Sequence, residues 1–323
     1  MHYGVHKHLP TFAKADRPQV QDVGCQAWIG SGITLSPQDE GFYRPVLTID
    51  RRQIFPAAFS VSTWLLIGAA LQSIIVLFAP SRYAVLPALL FLALRIGDTT
   101  LITWGWKRNP YMDGAIMQKV SAQVPDKDGK MLEEAAGEKV AIMFLGSRSN
   151  HPLGLFAPGF KDLGKHFNKM IAELEKGAGD NGFLGASYWL RRDSAGSENV
   201  QVSYWRSVED IHKFAHGPTH REAWKWWDRM VKDLDHIGIN HEIYVADKGN
   251  WETIYVNFQP TMLGATTYLK RNGKLEGGVV PDEWLSPLVD ASRGKLRTSA
   301  GRLGPKHGDG SENEKYGPSP YEV

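Results

Sequence analysis

Long apolar runs and short alternating runs divide this 323-residue chain into two regions of different character. Residues 57–79 form 23 residues without a charge, enough to cross a bilayer as a helix rising about 1.5 Å per residue. A second apolar run, residues 83–106, contains Arg95 and Asp98, which would share a helix face. The pattern predicts a transmembrane helical hairpin over residues 51–108, with a buried soluble helix as the alternative for the first run.

Basic residues flank both ends of the predicted hairpin. Arg51 and Arg52 precede it, and Lys107 and Arg108 follow it. By the positive-inside rule, both ends then face the cytosol. The sequence therefore predicts a membrane protein with a cytosolic soluble part, and the endoplasmic reticulum is one candidate membrane.

The apolar positions of residues 139–269 follow strand and helix spacing in turn. Helical spacing runs from Phe160 to about Gly177 and again over residues 208–234, with a break at Gly217-Pro218. Strand-like runs cover residues 140–145, 184–190, 200–205, 241–246 and 251–258. The order β-α-β-β-α-β with one added strand predicts an α+β, ferredoxin-like domain. Because such a sheet leaves one face open, two copies are expected to pair as a dimeric α/β barrel.

The remaining segments are predicted to be accessory. Residues 1–50 are interpreted as an N-terminal arm, residues 109–138 as a linker, and residues 270–323 as a mostly disordered tail rich in glycine, serine, proline and charge. A formal net charge of +2 argues against nucleic acid as a partner. The single cysteine, Cys25, excludes an internal disulfide and any cysteine-rich metal centre.

One stripe of the second helical region combines a histidine with two tryptophans. His220, Trp224, Trp227 and Val231 recur at helical spacing and so share a face. The stripe either packs as ordinary core or lines a pocket between helix and sheet, where indoles would stack on a flat apolar ligand. In the second case a neutral His220 could also serve as an axial ligand to haem iron.

Strand positions supply the remaining candidate residues. His241 leads one face of a strand and is the candidate proton acceptor or donor. Arg206 directly follows a strand, where it could reach a carboxylate or carbonyl of a substrate. Asn257, within an apolar run, is either a pocket donor or the partner in a structural hydrogen bond. Trp189 and Trp205, on neighbouring strands, complete the predicted substrate pocket with Trp224 and Trp227; no metal site is predicted.

Three stretches carry a resemblance to a known family: GFLGASYWLRRD, YWRSVEDIHKFAHGPTHREAW and GINHEIYVADKGNWETIYVNFQPTMLG. Together they resemble bacterial and fungal proteins of the dimeric α/β-barrel superfamily that are known as monooxygenases. The hydrophobic hairpin is similar to that of the fungal, membrane-attached members. The resemblance implies a homodimeric oxidoreductase that acts on an apolar small molecule, in secondary metabolism.

A second resemblance concerns fewer residues. The pattern His220, His241-Glu242 and Asn257-Phe-Gln-Pro is similar to the C-terminal part of haem-dependent aldoxime dehydratases. It implies that His220 ligates haem iron and that His241 is the distal acid or base. Three functions therefore stay open: a cofactor-free monooxygenase with His241 as the base, a haem-dependent lyase or oxidase, and a non-catalytic binder of a hydrophobic ligand.

Overall fold

The computed structural model describes the following residues: 33–38, 42–47, 60–78, 81–131, 135–193, 196–271, 274–275, 278–279 and 282–303. Much of the predicted N-terminal arm and the end of the predicted tail lie outside these ranges. Within the predicted arm, β1 (Ile33–Gln38) and β2 (Phe42–Leu47) pair antiparallel.

Two apolar helices precede the sheet in the chain. α1 (Val61–Phe78) and α3 (Leu86–Thr103) have mean hydropathies of 2.0 and 1.4, and neither is buried against the rest of the protein. The short α2 (Ser81–Ala84) joins them. The two predicted helices are therefore confirmed as helices. Their length and composition suit a membrane crossing.

Polar contacts close the turn and the end of this hairpin. The side-chain amide of Gln72 donates to the carbonyl of Ala84 at 2.6 Å. Asp98 pairs with Lys107 rather than with Arg95, the partner that helical spacing suggested. The reason is that residue 107 folds back along α3, because its backbone N–H donates to the carbonyl of Leu101 at 3.1 Å.

A four-stranded antiparallel sheet forms the centre of the soluble part. Its strands are β4 (Val140–Ser149), β5 (Phe183–Asp193), β6 (Gly196–Trp205) and β7 (Ile237–Ala246), in the spatial order β5-β6-β4-β7. The helix α4 (Phe160–Lys176) crosses from β4 to β5, and two helices, α5 (Val208–Ala215) and α6 (Pro218–Met230), cross from β6 to β7. This is the ferredoxin-like arrangement that the order of elements predicted.

Helices cover one face of the sheet. Ile171 and Leu174 of α4 and Ile211 of α5 are buried there. They pack against inward-facing strand residues, which are Ala141, Phe183, Ala186 and Trp205. Burial of a side chain of this size is worth about 1.5–3 kcal/mol each. The hydrophobic spacing of α4 in the sequence is thereby explained by its contact with the sheet.

The chain covers part of the opposite face with its own segments. There Val202 and Tyr204 of β6 join a core cluster with residues from both sides of the domain in sequence. Its other members include Val120, Ala122, Val124, Trp251, Leu263, Tyr268, Leu285 and Leu288. The sheet therefore carries two cores, one on each face.

Small strands and turns complete this second layer. β3 (Val120–Ala122) pairs with β12 (Leu288–Asp290), β8 (Tyr268–Lys270) with β11 (Glu283–Leu285), and β9 (Lys274–Leu275) with β10 (Gly278–Val279). The chain then enters α7 (Ser299–Leu303). Short 3-10 turns lie at Pro110–Met112, Gly154–Phe156, Met262–Ala265 and Lys295–Arg297.

Two features of the predicted organisation need correction. The interpretation of residues 109–138 as a linker and of residues 270–323 as mostly disordered does not hold for Val120–Ala122 and Leu288–Asp290, which pair as β3 and β12 within the core. Residues 251–258 were expected to form a strand, and they do not. They reach only isolated bridges, at Tyr255 with Val120 and at Phe258 with Ile116, because they lie over the sheet rather than beside it.

Candidate functional site

The helix-covered face of β6 carries a buried polar row. Gln201, Ser203 and Trp205 alternate with residues that face the second layer, and all three are buried. The hydroxyl of Ser203 donates to the carbonyl of Met143 at 3.3 Å and accepts from the indole N–H of Trp205 at 2.9 Å. Buried polar groups need such partners, so this row places hydrogen-bonding groups between helix and sheet.

Tyr188 of β5 extends this row. Its hydroxyl accepts a hydrogen bond from Nε2 of Gln201 at 3.3 Å, and its ring lies edge-on to Phe167 at 5.9 Å between centroids. Burial, with a smaller contribution from the nearby carboxylate of Glu175, raises the pKa of Tyr188 well above its usual value. The phenol therefore keeps its proton and remains a hydrogen-bond donor at any physiological pH.

Two imidazoles lie on the same side of the sheet, further toward β7. His241 is paired in register with Leu145 of β4, which is paired in turn with Gln201, and its side chain is exposed. His220 is half-buried at the start of α6. Burial lowers the pKa of His220, the charges of His216 and His241 lower it further, and a hydrogen bond to the backbone of Ala215 opposes the shift. His220 is therefore a neutral ring near neutral pH.

A series of aromatic contacts connects the core to these imidazoles. Trp205 lies 5.2 Å from Phe183 and 6.0 Å from Phe214, between ring centroids. Phe214 lies 5.8 Å from His220, which lies 6.4 Å from Trp224. Trp205 is only 2% exposed, whereas Trp224 is 59% exposed. The series thus begins in the core and reaches the surface at the helix that carries His220.

Trp227 does not share the surroundings of His220, although both were placed on one stripe. It packs in a separate small cluster with Phe160, Leu234 and Ile237. Trp226, its neighbour in sequence, lies 4.8 Å from the ring of His166. The predicted stripe is therefore divided: His220 and Trp224 belong to the aromatic series beside Phe214, whereas Trp227 belongs to another cluster.

Arg206 lies at the second layer rather than beside the imidazoles. Its guanidinium donates to the carbonyls of Pro125 and Asp126, each at 3.1 Å. The same group lies 5.6 Å from the ring centroid of Tyr268, at a distance where a cation and an aromatic face attract. These contacts make Arg206 a brace between β6 and the segment after β3.

Trp189 and Asn257 also lie apart from the imidazoles. Trp189 packs against the core cluster of the second layer, because its strand position points away from α4. Asn257 is exposed in a bend with a φ of 51°, a conformation that asparagine tolerates better than most residues. The expectation of a polar side chain inside an apolar strand is wrong for Asn257, since no strand forms there.

The structure adds residues that sequence reasoning missed. Tyr188, Gln201, Ser203 and Phe214 lie on the helix-covered side with His220 and His241. A signal for two of them was present, because Gln201 and Ser203 alternate with Val200 and Val202 in an otherwise apolar strand. Within the described ranges, no group of three or more histidine, cysteine or acidic side chains is placed to hold a metal ion.

Comparison with known proteins relates this site to a family. The family model described as "Monooxygenase af470-like" matches residues 140–263. A curated relative, monooxygenase af470 of Aspergillus fumigatus, is 34% identical over 251 residues, which are 77% of this chain and 89% of the relative. This chain belongs to the af470-like monooxygenase family. The family match spans every strand of the four-stranded sheet and both imidazoles.

Solved structures resemble the af470-like chain more distantly. A crystal structure of aldoxime dehydratase is 17% identical, covers 46% of this chain and 45% of its own, and has a TM-score of 0.33. SnoaB, a cofactor-independent oxygenase from Streptomyces nogalater, is 13% identical, covers 33% of this chain and 91% of its own, and has a TM-score of 0.23. At these scores neither likeness carries an argument about function.

Proposed function

We propose that this chain is a membrane-anchored monooxygenase that oxygenates an apolar small molecule without a bound cofactor. The observation that carries the proposal is its 34% identity, over 77% of the chain, to a protein named as a monooxygenase. The matched residues 140–263 include the helix-covered face of the sheet. The proposal assigns the reaction to that face, at His220 and His241, because both imidazoles lie there beside the aromatic rings of Phe214 and Trp224.

The membrane anchor in this proposal is the helical hairpin. α1 carries no charge, α3 carries only Arg95 and Asp98, and neither helix is buried by the protein. A bilayer is the surrounding that best accommodates two such helices. Basic residues at both flanks favour a cytosolic soluble part. This anchoring would raise the rate at which the enzyme meets a substrate that partitions into lipid, because both are held at the same membrane.

The proposed chemistry begins with a proton transfer. His241 removes a proton from an acidic CH2 group of the substrate, and the resulting carbanion reacts with O2. A C–O bond forms, the proton returns to the distal oxygen, and a hydroperoxide results. Loss of the second C–H proton with cleavage of the O–O bond releases water and leaves C=O. One oxygen atom enters the product, and the CH2 carbon supplies all four electrons, so no external reductant is consumed.

Other residues of this face suit supporting roles. The neutral ring of His220 adds no positive charge beside the proposed base. Phe214 and Trp224 flank His220 and offer apolar ring faces to a substrate. Gln201 lies two strands from His241, about 10 Å at the usual strand spacing, which a molecule of two or three rings would span.

The test uses full-length protein in detergent and lipid-soluble compounds that carry an acidic CH2 group, under isotopically labelled oxygen. The expected result is one labelled oxygen atom per product and no requirement for a nicotinamide. His241→Ala is expected to lower kcat by about a hundredfold or more, the usual contribution of a general base. The matched control is His212→Gln, a histidine that is exposed on α5. Unchanged turnover in His241→Ala would remove the base from the mechanism.

A haem enzyme is the second candidate, and one observation favours it. His220 is neutral and hydrogen-bonded to a backbone group, which is the state in which an imidazole ligates iron. His220 would then hold the iron, and His241 would bind or move protons nearby. A Soret absorption band in purified protein, lost in His220→Ala, would support this candidate over the cofactor-free reaction. Saturable ligand binding without any product would instead favour a carrier.

A further inference from the structure

A set of apolar side chains is exposed on two segments beside the second core layer. These six residues, called the apolar ledge below, are Tyr111, Met112, Met117, Val256, Phe258 and Met262. Their exposure ranges from 43% for Met262 to 63% for Tyr111. Single exposed apolar residues are ordinary, but a group gathered on adjoining segments indicates a contact surface.

The ledge is almost free of charge. Residues 110–118 and 256–262 contain one formally charged side chain, Asp113. Its carboxylate accepts a hydrogen bond from the guanidinium of Arg108 at 2.5 Å. The surface is thus mainly apolar. Pairing of its one negative charge with Arg108 lowers the free-energy cost of placing that charge in a weakly polar surrounding.

Hydrogen bonds hold the two segments of the ledge together and to the sheet. Nε2 of Gln259 donates to the carbonyl of Tyr111 at 3.0 Å, and the backbone N–H of Ile116 donates to the carbonyl of Phe258 at 3.1 Å. At the far end, the N–H of Met262 donates to the hydroxyl of Ser187 in β5 at 2.9 Å. The ledge is therefore a fixed part of the domain.

The ledge begins immediately after the helical hairpin. The backbone N–H groups of Trp106 and Lys107 both donate to the carbonyl of Leu101, at 2.9 and 3.1 Å, and so close the end of α3. Only Arg108 and Asn109 separate this closed end from the 3-10 turn at Pro110–Met112. Three Cα steps reach at most about 11 Å, so the start of the ledge lies close to the end of α3.

We propose that the apolar ledge rests on the lipid surface of the bilayer in which the hairpin is inserted. The proposal rests on the membrane span assumed for the proposed function. Continuity favours lipid as the occupant, because Trp104 and Trp106, in edge contact at 5.4 Å, mark the interface end of α3 and the ledge follows directly. Contact with lipid would fix the orientation of the domain, with its second layer toward the bilayer and its helix-covered face away from it.

The experiment places a polarity-sensitive fluorophore on the ledge. Cys25, the single cysteine, is first removed by the substitution Cys25→Ser. Met117→Cys, Phe258→Cys and Leu153→Cys are then introduced one at a time into this full-length protein. Each variant is labelled in phosphatidylcholine nanodiscs. Leu153 is the matched control, an exposed leucine after β4. Lipid carrying a doxyl spin label near the headgroup is expected to quench the ledge labels several-fold more than the control. Iodide in the water is expected to show the reverse order.

Two outcomes would overturn the inference. If iodide quenches the ledge labels as strongly as the control, the surface faces water. If the ledge labels are shielded from iodide but not quenched by doxyl lipid, a second copy of the chain covers them instead. Carbonate extraction separates these results from failure of the anchor, because an extractable protein would refute the membrane span itself. Since Met117 and Phe258 are exposed, either variant alone carries the test if the other does not fold.

Discussion

At the scale of single residues, Arg302 is the most completely buried charge in the described chain, and its contacts explain why it is stable there. Its Nε donates to Glu252 at 2.8 Å, and its Nη1 donates to the carbonyls of Leu296 and Arg297. The hydroxyl of Ser299 donates to the other oxygen of Glu252 at 2.7 Å. A buried charge is tolerated only with such partners, so Arg302 fastens α7 to the segment that follows β7.

Arg302→Ala is expected to destabilise the protein by about 3 kcal/mol, because it leaves the carboxylate of Glu252 half-buried without its cation. The matched control is Arg293→Ala, which removes an exposed arginine bonded to Asp290 at 3.0 Å and should cost less than about 1 kcal/mol. Urea unfolding of the detergent-solubilised protein, followed by tryptophan fluorescence, measures both. Equal costs for the two variants would contradict the assigned role of Arg302.

The lowered pKa of His220 predicts a dependence of stability on pH. The folded protein disfavours the charged ring, while the unfolded chain binds a proton near the ordinary pKa of about 6.5. The stability that comes from the neutral ring of His220 is therefore fully present above about pH 6.5, and it is lost as the pH falls through the lowered pKa of the folded state. In His220→Phe, the free energy of unfolding should fall less between about pH 7 and pH 5 than in the native protein. A His212→Gln control that shows the same flattening would refute the assignment.

At the scale of elements, the sequence pattern predicted the helices and the four sheet strands of the soluble part, while the strand expected over residues 251–258 does not form. The break at Gly217-Pro218 divides α5 from α6 as expected. By contrast, β3 and β12 are only three residues each and pair across more than half of the chain. A strand that short has no visible alternation, and its partner cannot be deduced from spacing.

The sequence pattern placed some candidate site residues on the face of the sheet where the structure has them and placed others on the wrong face. Periodicity tells which side chains share a face, but it does not tell what covers that face. His220, Trp224 and His241 do lie on one side of the sheet, whereas Trp189 was placed with them although it points to the other layer. Trp205 was predicted to line the substrate pocket, and the structure buries it in the core, with 2% of its surface exposed.

Arg206 gives a prediction that separates bracing from catalysis. Because its guanidinium bonds two carbonyls of the segment after β3, Arg206→Ala should cost about 1–3 kcal/mol of stability. It should also speed proteolysis within residues 125–131. The KM and kcat of any oxygenation measured at a temperature where the variant is folded should change little. A large loss of kcat in a variant of native stability would return Arg206 to the catalytic residues.

At the scale of the whole molecule, the second layer covers only part of the sheet. Phe144 and Tyr244, on β4 and β7, remain exposed on that face with ring centroids 5.9 Å apart. The hydroxyl of Tyr244 donates to Glu242 at 2.6 Å. We expect a homodimer of the kind predicted from the sequence to pair through this uncovered part of the face, where it would bury both rings.

Phe144→Asp with Tyr244→Asp is expected to convert such a dimer into a monomer, because two carboxylates would be buried opposite their copies. The matched control is Phe156→Asp, at an exposed phenylalanine in the 3-10 turn after β4. Light scattering in detergent, with the micelle contribution subtracted, gives the mass of the protein. A native protein that is already monomeric, or a dimer that persists in the double variant, would exclude this interface.

Only six residues, 104–109, separate the end of α3 from the first turn of the soluble part, and Trp106 and Lys107 fold back onto Leu101. This short connection has a consequence for how substrate is found. In the proposed membrane-anchored enzyme, a tether this short would confine the catalytic unit to a thin layer above the bilayer instead of a volume of cytosol. Encounters then depend on lateral diffusion and on how much compound is dissolved in the lipid, not on its concentration in water. Neighbouring enzymes that deliver such a compound gain most when they release it into the same membrane.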